Sequence, residues 1–234
     1  MTQHQLQPGG AGERVAVVIP AFREAAAIGA VVRAVRRVHP LVVVVDDASP
    51  DATGDVALAA GAVVLRHLIN RGQGAALRTG IEYALRAGAT AVVTFDADGQ
   101  HRVDDIEPLL QALREGNDVA LGSRFLEHAA AVPLGRRLVL RLAVVFTRLA
   151  SGITVSDTHN GLRAFTAAAA RIISIRQDRM AHASEILDEI ARHRLRYREV
   201  PCRVEYTDYS RAKGQRSSAA LRIALDFLLG KWER

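Results

Sequence analysis

Val15-Ala16-Val17-Val18-Ile19, Leu41 to Val45, Ala62 to Leu65 and Ala91 to Val93 are short, largely β-branched runs with no polar residue at alternate positions. A strand with one wet face alternates, whereas an unbroken apolar run is covered on both faces, as in a parallel sheet packed under helices. Between these runs, Glu24 to Val38, Asp51 to Ala60 and Gly74 to Ala87 carry apolar residues at three- and four-residue spacing, which predicts helices. Asp118 to Ser123 predicts a fifth strand. Regular alternation of strand and helix predicts an α/β class protein: an α/β/α sandwich around a mostly parallel central sheet.

In such sheets ligands sit beyond the carboxyl ends of the strands, and the polar clusters of the first half fall there. Pro20 to Glu24 follows the first strand, Asp46 to Asp51 the second, Asn70 to Gly74 the third, and Asp96-Ala97-Asp98-Gly99-Gln100-His101 the fourth. Singly, each reads as a turn or helix cap; together they predict a site. Asp96, Asp98 and Gln100 offer only oxygen ligands, the set preferred by Mg²⁺ or Mn²⁺ shared with a substrate's phosphates. After residue 124 the alternation stops, and a basic stretch from Gly135 to Ser151 precedes Ser156-Asp157-Thr158-His159-Asn160-Gly161, so the second half is expected to take the other substrate.

The chain has 234 residues, 49% of them hydrophobic, enough for a sizeable core in one domain. Residues 1–13 read as a flexible polar tail without the apolar block of a secretory signal. Cys202 is the only cysteine, so no intrachain disulfide forms. A formal net charge of +6 implies attraction to polyanions such as nucleic acid, anionic lipid or a phosphorylated substrate. Against nucleic acid, aromatic residues make up only 5% and no nucleic-acid-binding signature appears. Arg137, Arg141 and Arg148 interrupt the best candidate for a membrane span.

The segments VVIPAFREAAAI, VVVDDASPDATGDVA, NRGQGAALRTGIEYA, FDADGQH, LGSRF, DTHNGLRAF and ASEILDEIARHRLRYREVPCRVEY, in this order and spacing, resemble the family 2 glycosyltransferases of the GT-A fold. The likeness is greatest to the polyprenyl-phosphate sugar synthases of the dolichol-phosphate mannosyltransferase type. It implies an inverting, metal-dependent hexosyltransferase that uses a nucleotide sugar, GDP- or UDP-hexose, and a polyprenyl phosphate acceptor. By that resemblance Pro20, Ala21 and Glu24 line the base and ribose, and Asp46 and Asp47 grip the nucleotide's polar edges. Asp96, Asp98 and Gln100 hold the metal, Gly72 admits the nucleotide to the backbone, and Arg124 lies near the acceptor phosphate. Arg211 and Lys213 either close over the diphosphate or form a solvated basic loop. The likeness runs from about Val15 to about Gln215, giving an expected catalytic domain over 14–216; the break in alternation divides it into a nucleotide-sugar half at 14–123 and an acceptor half at 124–216, and the apolar pattern with Leu221, Leu225, Leu228 and Leu229 predicts an amphipathic helix at 217–234.

On a helix from Leu134 to Leu149, Arg137, Arg141 and Arg148 share one face beside Leu138, Leu142 and Val145, the pattern of an interfacial helix and equally of a core-packing one. Arg124, Arg137, Arg141 and Arg163 are the expected acceptor contacts, and a cytoplasmic enzyme peripheral to the inner face of the cell membrane is the expected setting, with attachment either direct or through a membrane subunit. A phosphate acceptor is already ionised and needs positioning, whereas a saccharide hydroxyl needs a general base, for which Asp157 is the first candidate and His159 the second. The Asp157 to Arg163 segment is a signature of the polyprenyl-phosphate branch; Glu185 matches a recurring acidic position without an assigned role. From another class, Gly72-Gln73-Gly74 opening a helix imitates a dinucleotide-binding turn, although Gly80 comes too late to complete that fingerprint.

Overall fold

A computed structural model of the chain describes residues 12–126 and 153–205. The expectations on the Leu134 to Leu149 helix, on Arg137, Arg141, Arg148, Arg211 and Lys213, and on the amphipathic helix at 217–234 lie outside the described residues.

The four apolar runs form β1 (Val15–Ala21), β2 (Leu41–Asp46), β3 (Val63–Arg66) and β4 (Ala91–Thr94), joined by α1 (Ile28–Arg36), α2 (Thr53–Ala59) and α3 (Gln73–Arg86). A 3-10 turn at Val103–Asp105 leads into α4 (Ile106–Arg114), and β5 (Val119–Ser123) closes the first half. The second half adds β6 (Arg163–Thr166), α5 (Ala167–Ile172), α6 (His182–Arg192) and β7 (Tyr197–Pro201). All seven strands form one sheet in the order β3-β2-β1-β4-β6-β5-β7. Strand β6 runs antiparallel to both neighbours and the other pairings are parallel.

Both faces of the sheet are dry, as the unbroken runs require. Val17, Ile19, Val42, Val44 and Val93 pack with Ile28, Val32 and Val35 of α1 and Ile106, Leu109 and Leu110 of α4. The intervening Ala16, Val18, Val43 and Val92 face Leu77, Ile81 and Ala84 of α3 and Ile186, Leu187 and Ile190 of α6. Helix α1 begins at Ile28 rather than Glu24, because the carbonyl of Glu24 accepts the amides of Ala27 and Ile28 (3.0 and 2.9 Å) and Glu24 to Ala27 form the approach to the helix. Strand β6 was not expected. Only four residues long, it is drawn from the polar signature segment and wedges the acceptor half between β4 and β5, so that Thr94 pairs with Arg163 and Leu121 with Arg163.

Candidate functional site

The four polar loops meet at the carboxyl edge and are bonded to one another. The Asp47 amide donates to the Ala21 carbonyl (2.9 Å), the Arg23 amide to Ser49 Oγ (3.0 Å) and the Glu24 amide to Thr53 Oγ1 (2.8 Å). Arg23 and Ala48 hold positive φ of 59° each, a conformation costly for residues with a side chain and one that recurs at functional loops. Pro20 and Ala21 end β1 on this edge.

Asp46 and Asp47, expected to touch the nucleotide, are buried and hydrogen-bonded within the protein. Asp46 Oδ1 accepts the Ser49 amide at 3.0 Å. Asp47 accepts His67 Nδ1 (2.6 Å) and the Arg71 amide (3.0 Å) on Oδ1, and the Gly72 amide (2.6 Å) on Oδ2. Asp47 thus braces the β3–α3 loop, and His67 is fixed in turn by Thr79 Oγ1 at 3.0 Å.

Gly72 also differs from its expectation. With φ of 105°, it lies where a Cβ would stand 2.5 Å from the Asp178 carbonyl, and a Cβ on Gly74 would stand 2.0 Å from the Gln177 carbonyl. What these glycines admit is the backbone of residues 177–178, whose Asp178 carbonyl accepts the Ala75 amide of α3 at 3.1 Å. A pyrophosphate on this turn would collide with that strap, which removes the dinucleotide-binding alternative. Two buried carboxylates hold the strap from α6: Glu185 accepts the amides of Arg176 and Gln177 (2.9 and 2.8 Å), and Glu189 that of Ser174 (3.1 Å). Arg78 ties it to α3 through the Ile175 carbonyl (2.7 Å) and Asp178 (3.0 Å). A bracing role for Glu185 had no signal in the sequence, because it depends on a loop passing over a helix from the other half.

Asp96 and Asp98 follow β4. Asp96 receives Gln73 Nε2 at 3.3 Å on Oδ1 and His101 Nε2 at 2.9 Å on Oδ2, while Asp98 Oδ1 receives the Gln100 amide at 3.0 Å. Burial alone would raise the Asp96 pKa, but the hydrogen bond and charge of His101 hold it below the ordinary carboxylate value. Asp98 goes the other way, raised by burial and by the neighbouring carboxylates Asp96 and Glu24. His101 is raised too, since its bond to Asp96 and the charges of Asp96 and Asp98 outweigh burial. Burial and, after it, the neighbouring carboxylates disfavour the charged form of Asp98, so positive charge placed beside it would be favoured. Among the described residues no three His, Cys, Asp or Glu side chains are set to hold a metal by themselves.

Beyond β5, Arg124 donates through Nε to Asp157 Oδ2 (2.7 Å), through Nη2 to Oδ1 (2.8 Å), and through its amide to Oδ2 (3.2 Å). Burial opposes ionisation of Asp157, but Arg124 prevails and its pKa is lowered. A carboxylate so engaged is a poor proton acceptor. His159 is exposed, with Nδ1 2.6 Å from Thr158 Oγ1. Arg163, expected to meet the acceptor, is instead buried; its guanidinium donates to the carbonyls of Asn160 (3.0 Å), Thr158 (3.0 Å) and Ala183 (3.2 Å). Burial drops its pKa to about 10, which still leaves it charged at neutral pH. It staples the signature segment to α6, with its guanidinium bonded to protein carbonyls.

The comparisons with known proteins agree with this architecture. The family described as Glycosyl transferase family 2 matches residues 16–172. The chain is 31% identical to a UDP-N-acetylglucosamine–dolichyl-phosphate N-acetylglucosaminyltransferase of Methanococcus voltae, covering 94% of this chain and 97% of that protein. It is 36% identical to a polyprenol monophosphomannose synthase of Mycolicibacterium smegmatis over 65% of this chain and 62% of that protein. Among solved structures, the glucosyl-3-phosphoglycerate synthase of Mycobacterium tuberculosis, in complex with Mn²⁺, UDP and glucosyl-3-phosphoglycerate, superposes with a TM-score of 0.70 at 17% identity, covering 93% of this chain and 78% of that one. The expected GT-A α/β/α architecture is the one observed.

Proposed function

We propose, on the premise that this chain belongs to the family 2 glycosyltransferases and is therefore a glycosyltransferase enzyme, that it transfers a hexose from a nucleotide sugar to a polyprenyl phosphate in one inverting displacement supported by Mg²⁺ or Mn²⁺. The observation that carries this reading is an acidic pair after β4, with Asp96 held by Gln73 and His101, together with an arginine held in a fork by Asp157 after β5 of the same sheet. Relatives named for transfer to dolichyl phosphate and for polyprenol monophosphomannose synthesis support the acceptor class.

In this reading Pro20, Ala21 and Glu24 border the base and ribose, on a floor built by Asp46 and Asp47. Asp96, Asp98 and Gln100 hold the cation, and the raised pKa of Asp98 fits that use. Bound there, the cation supplies Lewis-acid stabilisation of the departing diphosphate, worth several kcal/mol in general. Arg124, oriented by Asp157, positions the acceptor phosphate, with Arg137 and Arg141 assigned to the same task. The second pKa of a phosphate monoester is about 6, so the nucleophile is ionised at neutral pH and no base is required. Asp157, occupied by Arg124, is accordingly assigned to orientation and not to proton transfer, which favours lipid phosphate over a saccharide hydroxyl as acceptor.

Arg211 and Lys213 belong to the same proposal through the chain's route. The Glu205 amide donates to the Gln100 carbonyl at 2.9 Å, so the backbone leaves the described region beside the metal loop. Arg211 and Lys213, six and eight residues further along the sequence, are assigned to the diphosphate. The division into halves at residue 124 and a peripheral location at the inner membrane face are part of this proposal. Among the described residues no helix is long and apolar enough to cross a membrane.

The test is incubation with labelled UDP- and GDP-hexoses, Mn²⁺, and either undecaprenyl or dolichyl phosphate or saccharide acceptors. A sugar phospholipid that disappears in excess chelator is expected. Transfer to saccharides alone, or an undiminished rate in chelator, would overturn the proposal.

A further inference from the structure

The carboxylates at this edge are oriented by different means. Asp46 is held by the Ser49 amide, Asp47 by the amides of Arg71 and Gly72, Asp98 by the Gln100 amide and Asp157 by the Arg124 amide. Asp96 alone of these five is oriented by side chains only, Gln73 at 3.3 Å and His101 at 2.9 Å. The shorter bond comes from a ring that is itself immobilised. His101 is 5% exposed, meets the Phe95 ring edge-on at 5.5 Å between centroids, and pairs through its backbone with Val204. Gly161 closes the other side, since a Cβ there would stand 2.5 Å from both Asp96 oxygens.

The proton on the ring follows from its surroundings. Nδ1 of His101 is buried without a hydrogen-bond partner. A tautomer protonated only on Nδ1 would bury an unpaired N–H and set the Nε2 lone pair against a carboxylate oxygen. Nε2 therefore carries a proton, and Asp96 Oδ2 accepts it.

The geometry points to His101 as the positioning residue of Asp96: its Nε2–H fixes one carboxylate oxygen and leaves the remaining lone pairs aimed at the cation. This rests on the metal-dependent reading above. Partners of this kind behind a metal-ligating side chain are generally worth about 10–100-fold in metal affinity. The glutamine amide of a His101→Gln variant reaches about as far as Nε2 and preserves the donor; His101→Leu removes it, and the shorter amide of His101→Asn falls short.

Binding is read from the electron paramagnetic resonance signal of free Mn²⁺, titrated with protein in the presence of UDP, so that no turnover is needed. His101→Leu is expected to weaken Mn²⁺ binding by about 10–100-fold, with His101→Gln close to wild type. Should His101→Leu fail to fold, the same contrast is expected between His101→Asn, weakened, and His101→Gln. Equal affinity of the leucine variant and wild type, or equal loss in donor-keeping and donor-lacking variants, overturns the assignment while leaving the metal-dependent reading intact. Absence of Mn²⁺ binding by the wild-type protein overturns both.

Discussion

Arg124 and Asp157 form a two-pronged ion pair, Nε to Oδ2 at 2.7 Å and Nη2 to Oδ1 at 2.8 Å, with the carboxylate only 2% exposed and the guanidinium 31%. The pair joins the end of β5 to the signature segment, whose Ser156 amide is fixed in turn by Glu199 of β7 at 2.7 Å. Removing the buried member strands the other. Asp157→Ala is expected to destabilise the fold by about 2–3 kcal/mol, below the usual loss for a fully buried pair because Arg124 reaches water. Chemical denaturation at pH 7 measures it. Because the folded pKa of Asp157 is depressed, its contribution is complete above the ordinary carboxylate range and is lost as pH falls through the folded value; at pH 3 the variant and wild type should differ less than at pH 7.

Asp98→Asn should separate catalysis from stability. The Asp98 side chain accepts one amide hydrogen bond and stands among like charges, so its neutralisation is expected to leave the melting temperature unchanged or slightly raised. Transfer, by contrast, should fall by at least about 100-fold, the loss of a few kcal/mol of electrostatic stabilisation. Labelled-donor turnover and thermal unfolding on one preparation give both quantities, and a variant with full activity would count against Asp98 as a metal ligand.

His182 is expected to make the fold sensitive to acid. Burial lowers its pKa to about 4 from 6.5, against the opposing pull of the Arg179 carbonyl, in the neighbourhood of Arg163, Asp96 and His159. Between those two values the unfolded chain takes up a proton that the folded chain refuses. Stability is therefore complete above pH 6.5 and declines toward pH 4, by at most on the order of 3 kcal/mol. Urea denaturation from pH 7 to pH 4.5 should show a shallower decline in His182→Gln than in wild type; identical slopes would assign the acid sensitivity elsewhere.

Gly74→Ala tests the strap. The added methyl would meet the Gln177 carbonyl at 2.0 Å, a backbone atom that cannot swing aside. A loss of about 1–3 kcal/mol is expected from overpacking, together with faster hydrogen exchange at the Arg176 and Gln177 amides, which Glu185 holds. Unchanged exchange there would mean that the strap absorbs the methyl without moving.

The central strands and their loops were readable because an apolar run with both faces covered has few other fates. Val15 to Ile19 and Ala91 to Val93 fell inside β1 and β4, and each following polar cluster emerged at the carboxyl edge. Less visible was anything depending on chain segments far apart in sequence. Arg163 looked like an acceptor contact because it is an arginine in a polar signature, yet it becomes a staple through carbonyls of Asn160, Thr158 and Ala183 that only the folded chain brings together. Gly72 looked like a nucleotide contact because a glycine admits close approach, but the sequence does not say what approaches. His101 stood within the FDADGQH segment without a role, since its partner is set by a ring orientation and not by spacing.

The first turn of α3 has one further consequence. Helix N-termini are where many nucleotide enzymes seat a phosphate, and here the amides of Arg71 and Gly72 leading into α3 are taken by the Asp47 carboxylate and the Ala75 amide of its first turn by the Asp178 carbonyl. The amides of that bend are thereby spent within the protein. On the metal-dependent reading proposed above, one inward-turned aspartate leaves the balancing of a diphosphate's charge to a cation drawn from solution.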